Sequence, residues 1–169
     1  MSVFLFLDMD GVMTSSDYMF GPRRPAAEDG DCRSPYAMID PATIPRLNAI
    51  VEPTGARVVI TSSWRLVHKI GIIANALMRH GFTGKVVGKT GYSVAGDSRT
   101  RRGIEIQDWL DKHAGREQLG EHAVTRRIVI LDDDRDMGPL LPWLVQTTWQ
   151  SGLLDDHVPL ALKILQEGP

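Results

Sequence analysis

A run of five apolar residues, Val3–Leu7 (VFLFL), ends abruptly in Asp8-Met9-Asp10-Gly11. It has no polar stripe for an amphipathic helix, so it reads as a strand covered on both faces. Two carboxylates at its carboxyl end then project toward the crevice where open α/β sheets bind ligands. Carboxylates buried there without partners are costly, and they demand a cation or protons. Gly11 lets the chain turn away sharply directly afterwards.

Two more runs of the same kind follow, Arg57–Thr61 (RVVIT) and Arg127–Leu131 (RIVIL), and the second again ends in acid: Asp132, Asp133, Asp134 and Asp136, with Arg135 among them. Leu144–Thr148 and Lys85–Gly88 are weaker strand candidates. Helical periodicity separates these runs. Pro41–Glu52, opened by Asp40 as N-cap, puts Ile44, Leu47 and Val51 on one face. Trp64–His80 carries Val67, Ile70, Ala74, Leu77 and Met78 as a stripe and stops at Gly81. Gly103–His113 groups Ile106, Trp109 and Leu110, and Pro159–Glu167 groups Leu162 and Leu165. The alternation predicts an α/β fold, a three-layer Rossmann-like parallel sheet, in one domain over residues 1–169. Segments 14–35 and 84–102 show no sustained period. The first is expected to be a flap beside the first strand, and the second, rich in Lys and Arg, a basic loop in contact with substrate.

Composition narrows the function classes. With 43% hydrophobic and 24% charged residues the chain has the make-up of a globular protein. No apolar run approaches the ~20 residues of a membrane helix, so no membrane partner is expected. A net charge of −2 gives no global attraction to nucleic acid or anionic lipid, so any basic feature must be local. The lone cysteine, Cys32, can form no internal disulfide, which makes the cytoplasm the expected location. Gly84–Thr90 (GKVVGKT) falls one residue short of a nucleotide-binding P-loop, and the five histidines show no zinc spacing. The four tryptophans, Trp64 included, read as packing residues.

The Asp8-Met9-Asp10-Gly11-Val12 segment resembles motif I of the haloacid dehalogenase (HAD) superfamily of phosphotransferases, and three further matches arrive in that family's order. The resemblance implies a HAD-type sheet with Asp8 as nucleophile and Asp10 as general acid and base. It implies Thr61 as the hydroxyl that binds a phosphoryl oxygen, with Ser62 as the alternative, and Arg102 as the cation of motif III, with Arg101 close behind. Asp132-Asp133 match motif IV; Asp133 occupies the favoured ligand place and Asp132 the next. The implied cofactor is Mg2+, held among Asp8, Asp10, Asp132 and Asp133. Ser62, Arg65, Lys89 and Arg101 are the expected substrate contacts. Only a flap fits between motifs I and II, so the cap is minimal. The segments RVVITSSWR, RGIEIQDWL and VILDDDRDM also look like the HAD phosphatase domains of bacterial and phage RNA-repair proteins. That likeness implies a phosphorylated substrate that is a nucleotide or a nucleic-acid end. A phosphotransferase or phosphomutase, or a non-catalytic HAD-like binding module, would share the same motifs.

Overall fold

The strands are β1 (Phe4–Leu7), β2 (Arg57–Ile60), β3 (Lys85–Lys89), β4 (Ile128–Asp132) and β5 (Leu144–Gln146). In this computed structural model, which describes residues 2–24, 34–94, 100–114 and 127–169, they form one sheet in the order β3-β2-β1-β4-β5. Every pair is parallel. Strand order reverses at β1, whose neighbours are the next strand in sequence on one side and the fourth on the other. A parallel sheet opens its ligand crevice at such a reversal, beyond the carboxyl ends of the strands.

Alternation along each strand builds two cores. Leu5 and Leu7 of β1, Val58 and Ile60 of β2, and Val129 and Leu131 of β4 face one side. There they meet α3 (Ile44–Thr54), α5 (Ile70–Arg79) and α7 (His157–Glu167). Phe4, Phe6, Val59, Ile128 and Ile130 face the other side, against α6 (Arg101–Ala114) and the 3-10 turn Gly138–Trp143. Trp109 of α6 meets Phe4 and Phe6 edge-on, with ring centroids 5.0 and 5.6 Å away. Each such side chain taken fully out of water contributes roughly 1.5–3 kcal/mol. Continuous apolar runs are therefore required in β1, β2 and β4, as the three-layer reading anticipates.

Three expectations need correction. The helix expected over Trp64–His80 is two, α4 (Trp64–Val67) and α5, separated by extended backbone at His68 and Lys69. In consequence the buried stripe is Ile73, Ala76 and Leu77, while Val67 and Met78 are exposed. The break allows Trp64 and Arg65 to turn toward the strand ends while α5 lies on the sheet. Second, the basic segment 84–102 does not end as a loop: after the edge strand β3, where Lys85–Gly88 is the weak strand candidate, its last residues Arg101 and Arg102 open α6. Third, the segment expected as a flap begins with a short helix, α1 (Ser16–Met19), and ends at Pro35, where α2 (Pro35–Met38) starts. Residues 25–33 of that segment and 95–99 of the basic one lie outside the described residues.

Helix α6 is tied tightly to the chain that leaves β4. The amide of Gly103 donates to the Asp136 carbonyl (3.0 Å), and that of Arg102 to the Asp136 carboxylate (3.1 Å). A Cβ on Gly103 would stand 2.0 Å from the Met137 carbonyl oxygen. Backbone cannot yield as a side chain can, so Gly103→Ala is expected to destabilise the fold by about 1–3 kcal/mol. Thermal melting measures this, and an unchanged midpoint would contradict the packing.

Candidate active site

Asp8 and Asp132 stand on adjacent strand ends because β1 and β4 pair in register, Leu7 opposite Leu131. The ladder continues one step further, with the Asp8 amide donating to the Leu131 carbonyl at 3.0 Å. Both aspartates are buried, Asp132 completely. Asp133 follows, half-exposed, and Asp8, Asp132 and Asp133 each offer an oxygen within 4.8 Å of the others. Gly11 makes the convergence possible. Its φ of +73° turns the chain, and a Cβ there would stand 2.3 Å from the Asp133 carboxyl carbon.

Three carboxylates so close repel one another. Burial, aided by neighbouring acids, pushes the Asp8 carboxyl up to about 6 and the Asp132 carboxyl up to about 8. Asp132 Oδ1 accepts the Asp134 amide at 3.0 Å, but its buried Oδ2 has no hydrogen-bond partner among the described residues. Arg102 supplies the counter-charge, with one guanidinium nitrogen 3.3 Å from Asp8 and another 3.6 Å from Asp132. Burial opposes the charge on Arg102, yet Asp8, Asp132, Asp136 and Glu105 outweigh it and raise its pKa. One arginine against three carboxylates leaves negative charge over. All-oxygen donors, one of them buried without a hydrogen bond, suit a hard divalent cation.

Asp10 does not join this group. Its carboxylate accepts the indole N–H of Trp64, at 3.0 and 3.1 Å from its two oxygens. Burial raises its pKa, opposed by hydrogen bonding from Trp64 and Ser63. Thr61 lies at the tip of β2 with a buried hydroxyl that has no hydrogen-bond partner among the described residues. The Ser62 hydroxyl accepts the Trp64 amide at 3.3 Å, just ahead of α4.

The remaining expected contacts divide. Arg101 is exposed beside Arg102 and lines the same cavity. Arg65 is buried and fully engaged: it donates to the carbonyls of Thr61, Ser62, Thr90 and Gly91 and pairs with Glu105 at 2.6 Å. It clamps the ends of β2 and β3 to α6, so no guanidinium nitrogen is left over for substrate. Lys89 donates to the Arg65 carbonyl at 2.8 Å. Trp64, Glu105 and Asp136 were not singled out for these roles from sequence. The signal for Glu105 was present, since an acid on the buried stripe of an amphipathic helix needs a partner.

Comparison with protein families decides the relationship. A model described as the HAD domain in Swiss Army Knife RNA repair proteins matches residues 4–158. The chain belongs to this HAD family. No curated protein gives a significant match. Among the described residues no helix is long and apolar enough to cross a membrane.

Carboxyls whose folded pKa values are raised contribute stability at low pH and lose it as pH rises through those values. With a chelator present, the melting temperature is therefore expected to fall between about pH 4 and 8, as Asp8 and then Asp132 ionise. A divalent cation should raise it more at pH 8 than at pH 5, and Asp132→Asn should flatten both trends. Calorimetric scans check this; a pH-independent cation effect would contradict it.

Proposed function

We propose that this HAD domain is a Mg2+-dependent phosphomonoester hydrolase acting through an aspartyl phosphate on Asp8, with a nucleotide or polynucleotide end as substrate. The observation that carries the reading is a division of labour between two neighbouring carboxylates. Asp8 faces Arg102 and the Asp132–Asp133 pair, while Trp64 holds Asp10 apart. A nucleophile needs the first environment, and a proton carrier the second.

Asp8, Asp132 and Asp133 would hold the cation, which when bound offsets their charge and that of the phosphoryl oxygens. An Asp8 oxygen forms a bond to phosphorus as the bond to the ester oxygen breaks, and protonated Asp10 delivers its proton to that oxygen. Asp10 then takes a proton from the water that attacks phosphorus. Phosphate leaves and the Asp8 carboxylate is restored. The Thr61 hydroxyl and Arg102 bind phosphoryl oxygens, supplying donors where charge accumulates.

The family's description as RNA-repair proteins supports the substrate class, as does the absence of any cap domain among the described residues. A cytoplasmic location fits a chain with a single cysteine.

Asp8→Asn is expected to lower Mg2+-dependent phosphate release from phosphorylated oligonucleotides and mononucleotides by about 10³-fold or more. Activity that survives the substitution would overturn the mechanism. Trp64→Phe keeps an aromatic side chain but removes the N–H that favours the charged form of Asp10. The Asp10 pKa then rises, so the alkaline limb of the pH–rate profile should move to higher pH, with kcat reduced. An unmoved limb would mean that Trp64 does not position Asp10.

A further inference from the structure

A cavity that shares Arg102 with the Asp8 contact is larger than a phosphoryl group requires. It measures about 330 Å³ and is lined by Leu66, Tyr92, Arg101, Arg102, Asp134 and Asp136 among others. That size is at the low end for small-molecule sites, which run from about 300 to 1,000 Å³. Arg102 belongs both to this cavity and to the Asp8 contact, so the cavity adjoins the place where Arg102 meets Asp8. A second cavity, around Glu52, Arg57 and Lys85, opens at the opposite ends of β2 and β3 and is remote from this chemistry.

The lining is chemically divided. Tyr92 follows β3 and is 60% exposed, and Leu66 on α4 is 57% exposed. Among the described residues the Tyr92 ring stacks on no other aromatic ring and its hydroxyl has no hydrogen-bond partner. An aromatic face and an aliphatic side chain left in water at the mouth of a polar site form a surface for a flat, uncharged group. Glu105, Asp134 and Asp136 in the same lining offset Arg65, Arg101 and Arg102, so the cavity carries no excess positive charge to draw in a second phosphate. What fits is an uncharged planar group attached to one phosphoryl group through a short linker. That is a nucleobase on its ribose.

We propose that this cavity is a nucleoside subsite, in which the base of the nucleotide carrying the scissile phosphate stacks on Tyr92 with Leu66 completing the apolar wall. The inference rests on the phosphohydrolase reading and deepens it by naming what the site recognises beyond phosphate. A base must leave its pair to enter the cavity and lie on Tyr92. An unpaired terminal nucleotide is therefore preferred over the same nucleotide in a blunt duplex.

The test uses the full chain with Mg2+ and two kinds of substrate. One is a single-stranded oligoribonucleotide phosphorylated at its 5′ or 3′ end, with and without a base on the terminal nucleotide; the other is β-glycerophosphate, which has no base. Tyr92→Ala is expected to lower the ratio of kcat/KM for the oligonucleotide over β-glycerophosphate about tenfold or more, mainly through KM. Tyr92→Phe, which retains the ring, should keep the ratio. Removing the terminal base should lower the wild-type ratio to a similar extent, and pairing the end into a blunt duplex should lower it too. A ratio unmoved by Tyr92→Ala overturns the subsite while leaving hydrolysis intact, as does a wild type that hydrolyses β-glycerophosphate but not the oligonucleotide. A wild type that hydrolyses neither overturns the phosphohydrolase reading and the subsite with it.

Discussion

Three carboxylates with oxygens inside 4.8 Å of one another, two of them buried, make an arrangement that a fold tolerates only when something holds it together. Arg102 answers part of the charge, and a cation is the natural answer to the rest. The in-register pairing of β1 with β4 brings the acids to one height. The left-handed backbone at Gly11 clears space for Asp133. The apolar faces of the sheet make those strand ends rigid enough for the repulsion to persist without being relieved by movement.

Around this centre, a second set of contacts fixes the neighbouring side chains. Arg65 and Glu105 form a buried pair that joins the ends of β2 and β3 to α6, and the Glu105 carboxylate also accepts the Ser93 amide at 3.0 Å. Removing one partner of such a pair costs about 3–5 kcal/mol, because the other charge is left buried and alone. Asp136 receives the first amides of α6, which sets the direction of Arg102. The Thr147 hydroxyl donates to the Gly11 carbonyl at 2.6 Å and holds the turn after Asp10. The reactive side chains are thus held from both sides of the sheet.

Much of this was legible in the sequence, for identifiable reasons. Strands β1, β2 and β4 are buried on both faces, and burial of that kind leaves unbroken apolar runs. Asp8, Asp10, Asp132 and Asp133 end such runs, and their spacing carries the site. The edge strand β3 alternates exposure along Lys85–Lys89 and gives only a weak signal. The break between α4 and α5 has no Pro or Gly at His68 or Lys69, and its cause is tertiary: Trp64 and Arg65 turn inward there. The Trp64–Asp10 and Arg65–Glu105 contacts join residues 54 and 40 positions apart, a distance at which local pattern carries no information. Choosing between Arg101 and Arg102 likewise needed the helix phase, which sends only Arg102 to Asp8.

In the proposed mechanism, acids from two strand ends share one divalent cation and leave an Asp8 oxygen free for phosphorus. A crystal grown with Mn2+ and beryllium fluoride tests it directly, because manganese is located by its anomalous scattering and beryllium fluoride mimics a phosphoryl group on a carboxylate. The expected map has one manganese peak in direct contact with the Asp8 carboxylate and that of Asp132 or Asp133, and the fluoride adduct on the other Asp8 oxygen. Manganese bound elsewhere, or an adduct on Asp10 with Asp8 untouched, would contradict it.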